Sequence, residues 1–153
     1  MKKFLVIASI LGLTYACSNT SSEKKRNSVN DQATVTDSGS SPEGVGKFKH
    51  IDLGANLDKN LADGGKAIYN MKCSGCHKLT GEKLVGPGWK GVTERRKPEW
   101  IMNFVTNTEE MLNKDTTAQA MLEICMVKMP NQNLSDEDAR KVLEFMREND
   151  GIK

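Results

Sequence analysis

Residues Cys73-Ser74-Gly75-Cys76-His77 form a C-x-x-C-H run. Two thiols three positions apart at the end of a helix can add to the two vinyl groups of a haem, and the His that follows supplies an axial nitrogen. The same thiols could serve as a thioredoxin-like dithiol, but the flanking sequence shows no βαβ pattern. A structural zinc site needs a second ligand pair. Outside this run and Cys17 the chain offers Cys125 and His50, and neither is suitably spaced. Five residues can also coincide by chance. Covalent haem c is the reading that the remaining sequence supports.

An iron held by one His takes a second axial ligand, a thioether or another imidazole. Met129 is the candidate: it lies 52 residues after His77, enough chain to pass around a haem edge. Pro130 follows it, lacks an N–H and turns the chain out of the preceding helix. Met126 is its competitor. Met102, Met111, Met121 and Met146 fall inside helical patterns and read as core filling. Met71 is too close to the attachment site to reach the opposite face. His50 would give bis-His ligation, or is a surface histidine where the domain begins.

The elements that must position these residues are helical. Segment 60–73 places Leu61, Ile68 and Tyr69 on one side and ends in the motif. Pro98 opens a helix with Trp100, Ile101, Phe104 and Val105 on one face. A short turn covers 108–113, and 116–125 repeats Ala118, Met121, Leu122 and Cys125 at helical spacing. Ser135-Asp136-Glu137-Asp138 starts the last helix, which buries Val142, Leu143, Phe145 and Met146 and stops at Gly151. Segment 79–97 carries Gly81, Gly86, Pro87, Gly88 and Gly91 and must wrap something.

Only 5% of the 153 residues are aromatic, thin for such a core unless a porphyrin fills it. Lys and Arg number 22 against 20 Asp and Glu, which excludes a strongly basic protein held on nucleic acid by phosphate contacts. Residues 1–17 read as an export signal: Lys2 and Lys3, then the apolar run from Phe4 to Leu13, then Thr14-Tyr15-Ala16-Cys17. The run is about half the roughly 20 residues needed to span a bilayer. Cys17 resembles the lipid-attachment cysteine of bacterial lipoproteins, although Leu13 stands four residues before it; the alternative is cleavage after Ala16. Export and haem c attachment belong to the same side of the membrane. Residues 18–47 lack a hydrophobic run and read as a flexible tether, which leaves 48–153 as the domain.

From Leu61 to Met146 the chain resembles a class I monohaem cytochrome c. Gly65 and Tyr69, eight and four residues before Cys73, match a Gly and an aromatic that pack on the last helix, here against Val142 and Phe145. Val85-Gly86-Pro87 matches a segment whose Pro carbonyl accepts a hydrogen bond from the axial His, and Met129-Pro130 matches the ligand loop. The resemblance implies an all-α cytochrome c fold of about four helices around one covalently attached haem c. It implies haem attachment at Cys73 and Cys76, iron ligation by His77 and Met129, and orientation of His77 by Pro87. Cys125 departs from the pattern and reads as a small buried hydrophobe.

An iron with both axial positions filled has no room for substrate, so the implied function is outer-sphere electron transfer. Residues 72–97 hold seven basic and two acidic side chains, a net of +5, and residues 98–153 hold six and eleven, a net of −5. A basic rim beside the haem would steer the protein to an acidic redox partner. Donor and acceptor are not legible; a terminal oxidase and a nitrogen-oxide reductase both suit. The membrane would be reached through the anchor at Cys17. A small peroxidase, a gas sensor and a lipoprotein with structural haem are the competing readings, and carbon monoxide binding separates the first two from a carrier.

Overall fold

The computed structural model describes residues 41–153. The export signal, Cys17 and most of the expected tether lie outside them. Among the described residues there are six α-helices and no strand. They are α1 (Lys59–Ile68), α2 (Val92–Arg95), α3 (Pro98–Thr106), α4 (Thr108–Lys114), α5 (Thr116–Cys125) and α6 (Asp136–Asn149). No helix among these residues is long and apolar enough to cross a membrane.

The frame is the crossing of α1 and α6. Asp58 caps α1 by accepting from the Leu61 N–H, and Ser135 caps α6 by accepting from the Asp138 N–H. The crossing is close because Gly65 has no side chain. A Cβ there would stand 2.5 Å from the Lys141 carbonyl carbon and 2.8 Å from Phe145 Cβ. Gly65 therefore meets the Lys141 backbone and Phe145, while Val142 is buried one residue further on. Tyr69 lies 5.5 Å from the Phe145 ring and 4.8 Å from the Trp89 ring, so three aromatics join the first helix, the long loop and the last helix.

The first helix is not α-helical to its end. Residues Tyr69–Cys73 form a π-helical turn, closed by the Ser74 N–H on the Tyr69 carbonyl at 2.9 Å. Such turns change which residues face inward and are frequent at functional sites. Here Cys73 is buried and Cys76 exposed. The short turn expected at 108–113 is the full helix α4, and the long loop contains α2, too short to leave a periodic signal.

The domain starts before Phe48. Ser41 to Lys47, which composition assigned to the tether, lie along α3. Asn103 donates to the carbonyls of Glu43 and Phe48 at 2.9 Å each and accepts from the Phe48 N–H at 3.0 Å. One helical turn earlier Glu99 accepts from the Ile51 N–H at 2.8 Å. Gly44, with φ +71°, fits against Trp100 and Met111 where a Cβ would collide with both. Just after Ile51, Arg140 and Arg147 converge on the fully buried Glu144 and donate to the carbonyls of Asp52 and Gly54.

Candidate haem site

The π-helical turn, the 77–91 loop, α3, α5 and the chain after α5 enclose a cleft with two parts, of about 210 and 80 Å³. His77, Pro87, Phe104, Met121 and Met129 line both parts. The two are therefore halves of one slot, bounded by His77 and by Met129. Cys73 opens onto the larger half and Cys76 onto the smaller. Apolar walls, two thiols at one edge, an imidazole and a thioether are the set that a haem c requires, and the residues present fit that group.

His77 is held at several points. Its Nδ1–H donates to the Pro87 carbonyl at 2.8 Å. A carbonyl can only accept, so Nδ1 carries the proton and the Nε2 lone pair is free to bind a metal. Gly86 lies flat on the imidazole: a Cβ there would be 2.8 Å from Nδ1 and 2.9 Å from Nε2. The loop that carries Gly86 is folded back by its own N–H on the Cys76 carbonyl at 2.9 Å. Tyr69 donates its hydroxyl to the His77 carbonyl at 2.7 Å, and the Trp89 ring stands 5.9 Å from the imidazole.

The methionines separate by position. Met126 is 83% exposed and Met71 is 76% exposed, whereas Met129 lines both halves of the cleft. Met102 and Met111 are buried in the core, and Met146, also buried, lines the larger half of the cleft. Met121 lines the cleft as well, which its place in a helical pattern did not suggest. Its sulfur accepts from Arg96 Nη2 at 3.9 Å. His50 lines neither half; it is exposed and 2.8 Å from the Asp52 carboxylate.

Burial pushes the Cys73 thiol up to about 11, against the smaller opposing pull of Lys72. That is the opposite direction from the lowered thiol through which a dithiol oxidoreductase attacks. Among the described residues no group of three or more His, Cys, Asp and Glu is arranged to hold a metal ion, which leaves the zinc reading without its ligands. Cys125 is half-buried and lines the smaller half of the cleft with Cys76.

Three contributors carry no motif. Arg95 and Arg96 line the larger half, with Arg96 over the Trp100 ring at 5.1 Å. Both follow from α2, whose start is fixed by Asp150: its carboxylate accepts from the N–H groups of Gly91 at 2.5 Å and Thr93 at 2.9 Å. Gln132 also reaches this half. An exposed apolar rim formed by Leu84, Val85, Ile124, Met126 and Val127 includes two residues, Val85 and Val127, that line the smaller half.

The family model for cytochrome c matches residues 62–150. A cytochrome c-553-like protein of Synechocystis is 31% identical over 68 residues, which are 43% of this chain and 65% of that protein, under two thirds of its length. Cytochrome c from Rhodothermus marinus is 33% identical, with a TM-score of 0.66 over 69% of this chain and 90% of its own. An engineered form of it, Rma TDE, gives 32% and 0.68 over 72% of this chain and 98% of its own; it has also been solved with a carbene intermediate bound. Fold, cleft and relatives agree: the chain belongs to the cytochrome c family, as a class I monohaem member that carries one covalently bound haem c.

Proposed function

We propose that this protein is a single-electron carrier that works outside the cytoplasmic membrane, with its haem attached at Cys73 and Cys76 and its iron held between His77 Nε2 and Met129 Sδ. The observation that carries the reading is the shared lining. His77 and Met129 line both halves of one slot, and the Pro87 hydrogen bond leaves the His77 Nε2 lone pair free to bind a metal. The haem would supply the reversible one-electron couple. The chain's own residues fix the ligands, exclude water with apolar walls and present one edge to a partner. A methionine sulfur together with an imidazole raises the reduction potential relative to many other ligand pairs.

The docking surface that suits this role is the apolar rim of Leu84, Val85, Ile124, Met126 and Val127 with lysines around it. Lys83 and Lys128 neighbour those residues in the chain, and the wider segment 72–97 is net +5. An acidic donor or acceptor would be steered to it, with an association rate that falls as salt rises. Residues 1–17 supply export, Cys17 a lipid anchor in the membrane, and the chain from 18 to about 40 the tether that lets the domain move between partners. A terminal oxidase or a nitrogen-oxide reductase would be the acceptor.

Spectra of the purified holoprotein test the assignment. A c-type pyridine haemochrome is expected, with the weak long-wavelength band of a sulfur–ferric iron bond. That band should vanish in Met129→Ala and persist in Met126→Ala. The reduced wild type should not take up carbon monoxide. The engineered relative with its carbene intermediate shows that catalysis is possible on this fold, so uptake of carbon monoxide by the wild type would replace the carrier reading with open-site chemistry.

A further inference from the structure

The wall that carries Met129 is irregular. Helix α5 stops at Cys125, and Met126 follows with φ +59°, a left-handed conformation that favours glycine. Pro130 brings no N–H, and Asn133 is again left-handed at φ +50°. The side-chain bonds inside this loop are local, with Asn131 accepting from the Asn133 N–H and Gln132 donating to the Pro130 carbonyl, and Lys128 adds a long, exposed ion pair with Glu109 at 3.4 Å. Such a segment opens at low cost unless something else ties it down.

Two lysines from the opposite wall do so. Lys83 Nζ donates to the Ile124 carbonyl at 2.8 Å, and Lys72 Nζ donates to the Gln132 carbonyl at 3.0 Å. They join residues 41 and 60 positions apart in the chain. Lys72 adjoins Cys73, and Lys83 lies on the loop that holds Gly86 and Pro87. Their acceptors bracket Met129, one before it and one after. Ile124 is in the last turn of α5, where unpaired carbonyls and the helix dipole favour a cation. These two bonds reach from the His77 wall to the backbone on either side of Met129, whereas the longer Arg96–Met121 contact, at 3.9 Å, ends on a side chain of α5.

We propose that Lys72 and Lys83 are positioning residues that strap the Met129 loop across the cleft and so set how readily the sulfur leaves the iron. The inference rests on the assignment of Met129 as ligand. It gives these lysines a role separate from docking, because both ammonium groups are already committed to backbone carbonyls.

The test is imidazole binding to the ferric holoprotein, which reports exchange of the Met129 sulfur for an added ligand, followed alongside the long-wavelength band. Lys72→Gln and Lys83→Gln remove the cationic donors. Each is expected to tighten imidazole binding about threefold, and the double variant about tenfold, as two solvent-exposed hydrogen bonds at the lower end of the usual range are lost. Lys83→Arg, which keeps a cationic donor, should stay close to wild type. Lys90→Gln removes one charge from the same basic segment and should change binding less than twofold. The proposal is overturned if the double variant binds imidazole as wild type does, or if Lys90→Gln tightens binding as much as Lys83→Gln. A wild-type ferric protein without the long-wavelength band overturns the ligand assignment, and the strap with it.

Discussion

Gly86→Ala is the sharpest single perturbation of the site. The added Cβ would be nearest to His77 Cε1, then 2.8 Å from Nδ1 and 2.9 Å from Nε2, against the 3.4 Å at which ordinary contact begins. The ring must therefore retreat by at least 0.6 Å, or the loop must. The Nδ1–H bond to Pro87 is now 2.8 Å. A shift of that size along it reaches about 3.4 Å, beyond the usual 2.7–3.2 Å range. Loss of the bond makes His77 less basic, and a less basic ligand favours the ferrous state. A net hydrogen bond of about 0.5–1.5 kcal/mol corresponds to roughly 20–65 mV for one electron. The potential should rise by up to that amount in protein-film voltammetry, because only the part of the bond energy that differs between the ferric and ferrous states moves it. Overpacking should also lower stability by about 1–3 kcal/mol in denaturant unfolding of the holoprotein. A variant with wild-type potential and stability would mean that the loop yields freely, and that Gly86 and Pro87 do not hold the ring.

Other perturbations follow the same logic. Gly65→Ala drives a Cβ into the Lys141 backbone and Phe145, so the α1–α6 crossing must separate; a loss of about 3 kcal/mol or more is expected by thermal unfolding. Glu144→Gln leaves Arg140 and Arg147 without their carboxylate, and calorimetry should show about 3–5 kcal/mol lost, as for other broken buried pairs. Glu43 is held down to about 2, first by Lys97 and then by Ser41. Because its folded value is depressed, its contribution is fully present above the ordinary carboxyl value of 4.5 and is lost as pH falls through about 2. Amide exchange at Gly44 should stay slow at pH 5, and Lys97→Ala should shift its acid loosening towards the ordinary carboxyl range.

How much of this was legible depends on where each contact leaves its mark. The C-x-x-C-H run, Pro130 after Met129 and Gly65 before the motif are local, so their chemistry can be read residue by residue. The Ser135 cap and Pro98 at a first helical position are local too, and α6 and α3 begin where those residues put them. Ser41 to Lys47 could not be read in this way. Their backbone is satisfied by Asn103, and nothing in their own composition records a partner some sixty positions away. The π-helical turn is equally silent, since Tyr69 to Cys73 would suit an ordinary helix and the fold selects the wider turn. Asp150 reads as the end of α6, yet it fixes the start of α2.

Charge shows the difference most clearly. The net of +5 over residues 72–97 reads as a docking face. In the fold, Lys72 and Lys83 are on backbone carbonyls, Lys78 is paired with Glu82, Lys97 with Glu43, and Arg95 donates to the Lys90 carbonyl. A lysine on a neutral carbonyl keeps its full charge at long range but has spent a donor at short range. Steering depends on the first quantity and contact on the second. A count of charges therefore speaks to the association rate and its salt dependence. It overstates the polar grip available once a partner has arrived, and the short-range contact that remains is the apolar rim around Val85 and Val127. A complex held in that way associates fast and releases fast, which is what a carrier serving two partners in turn requires.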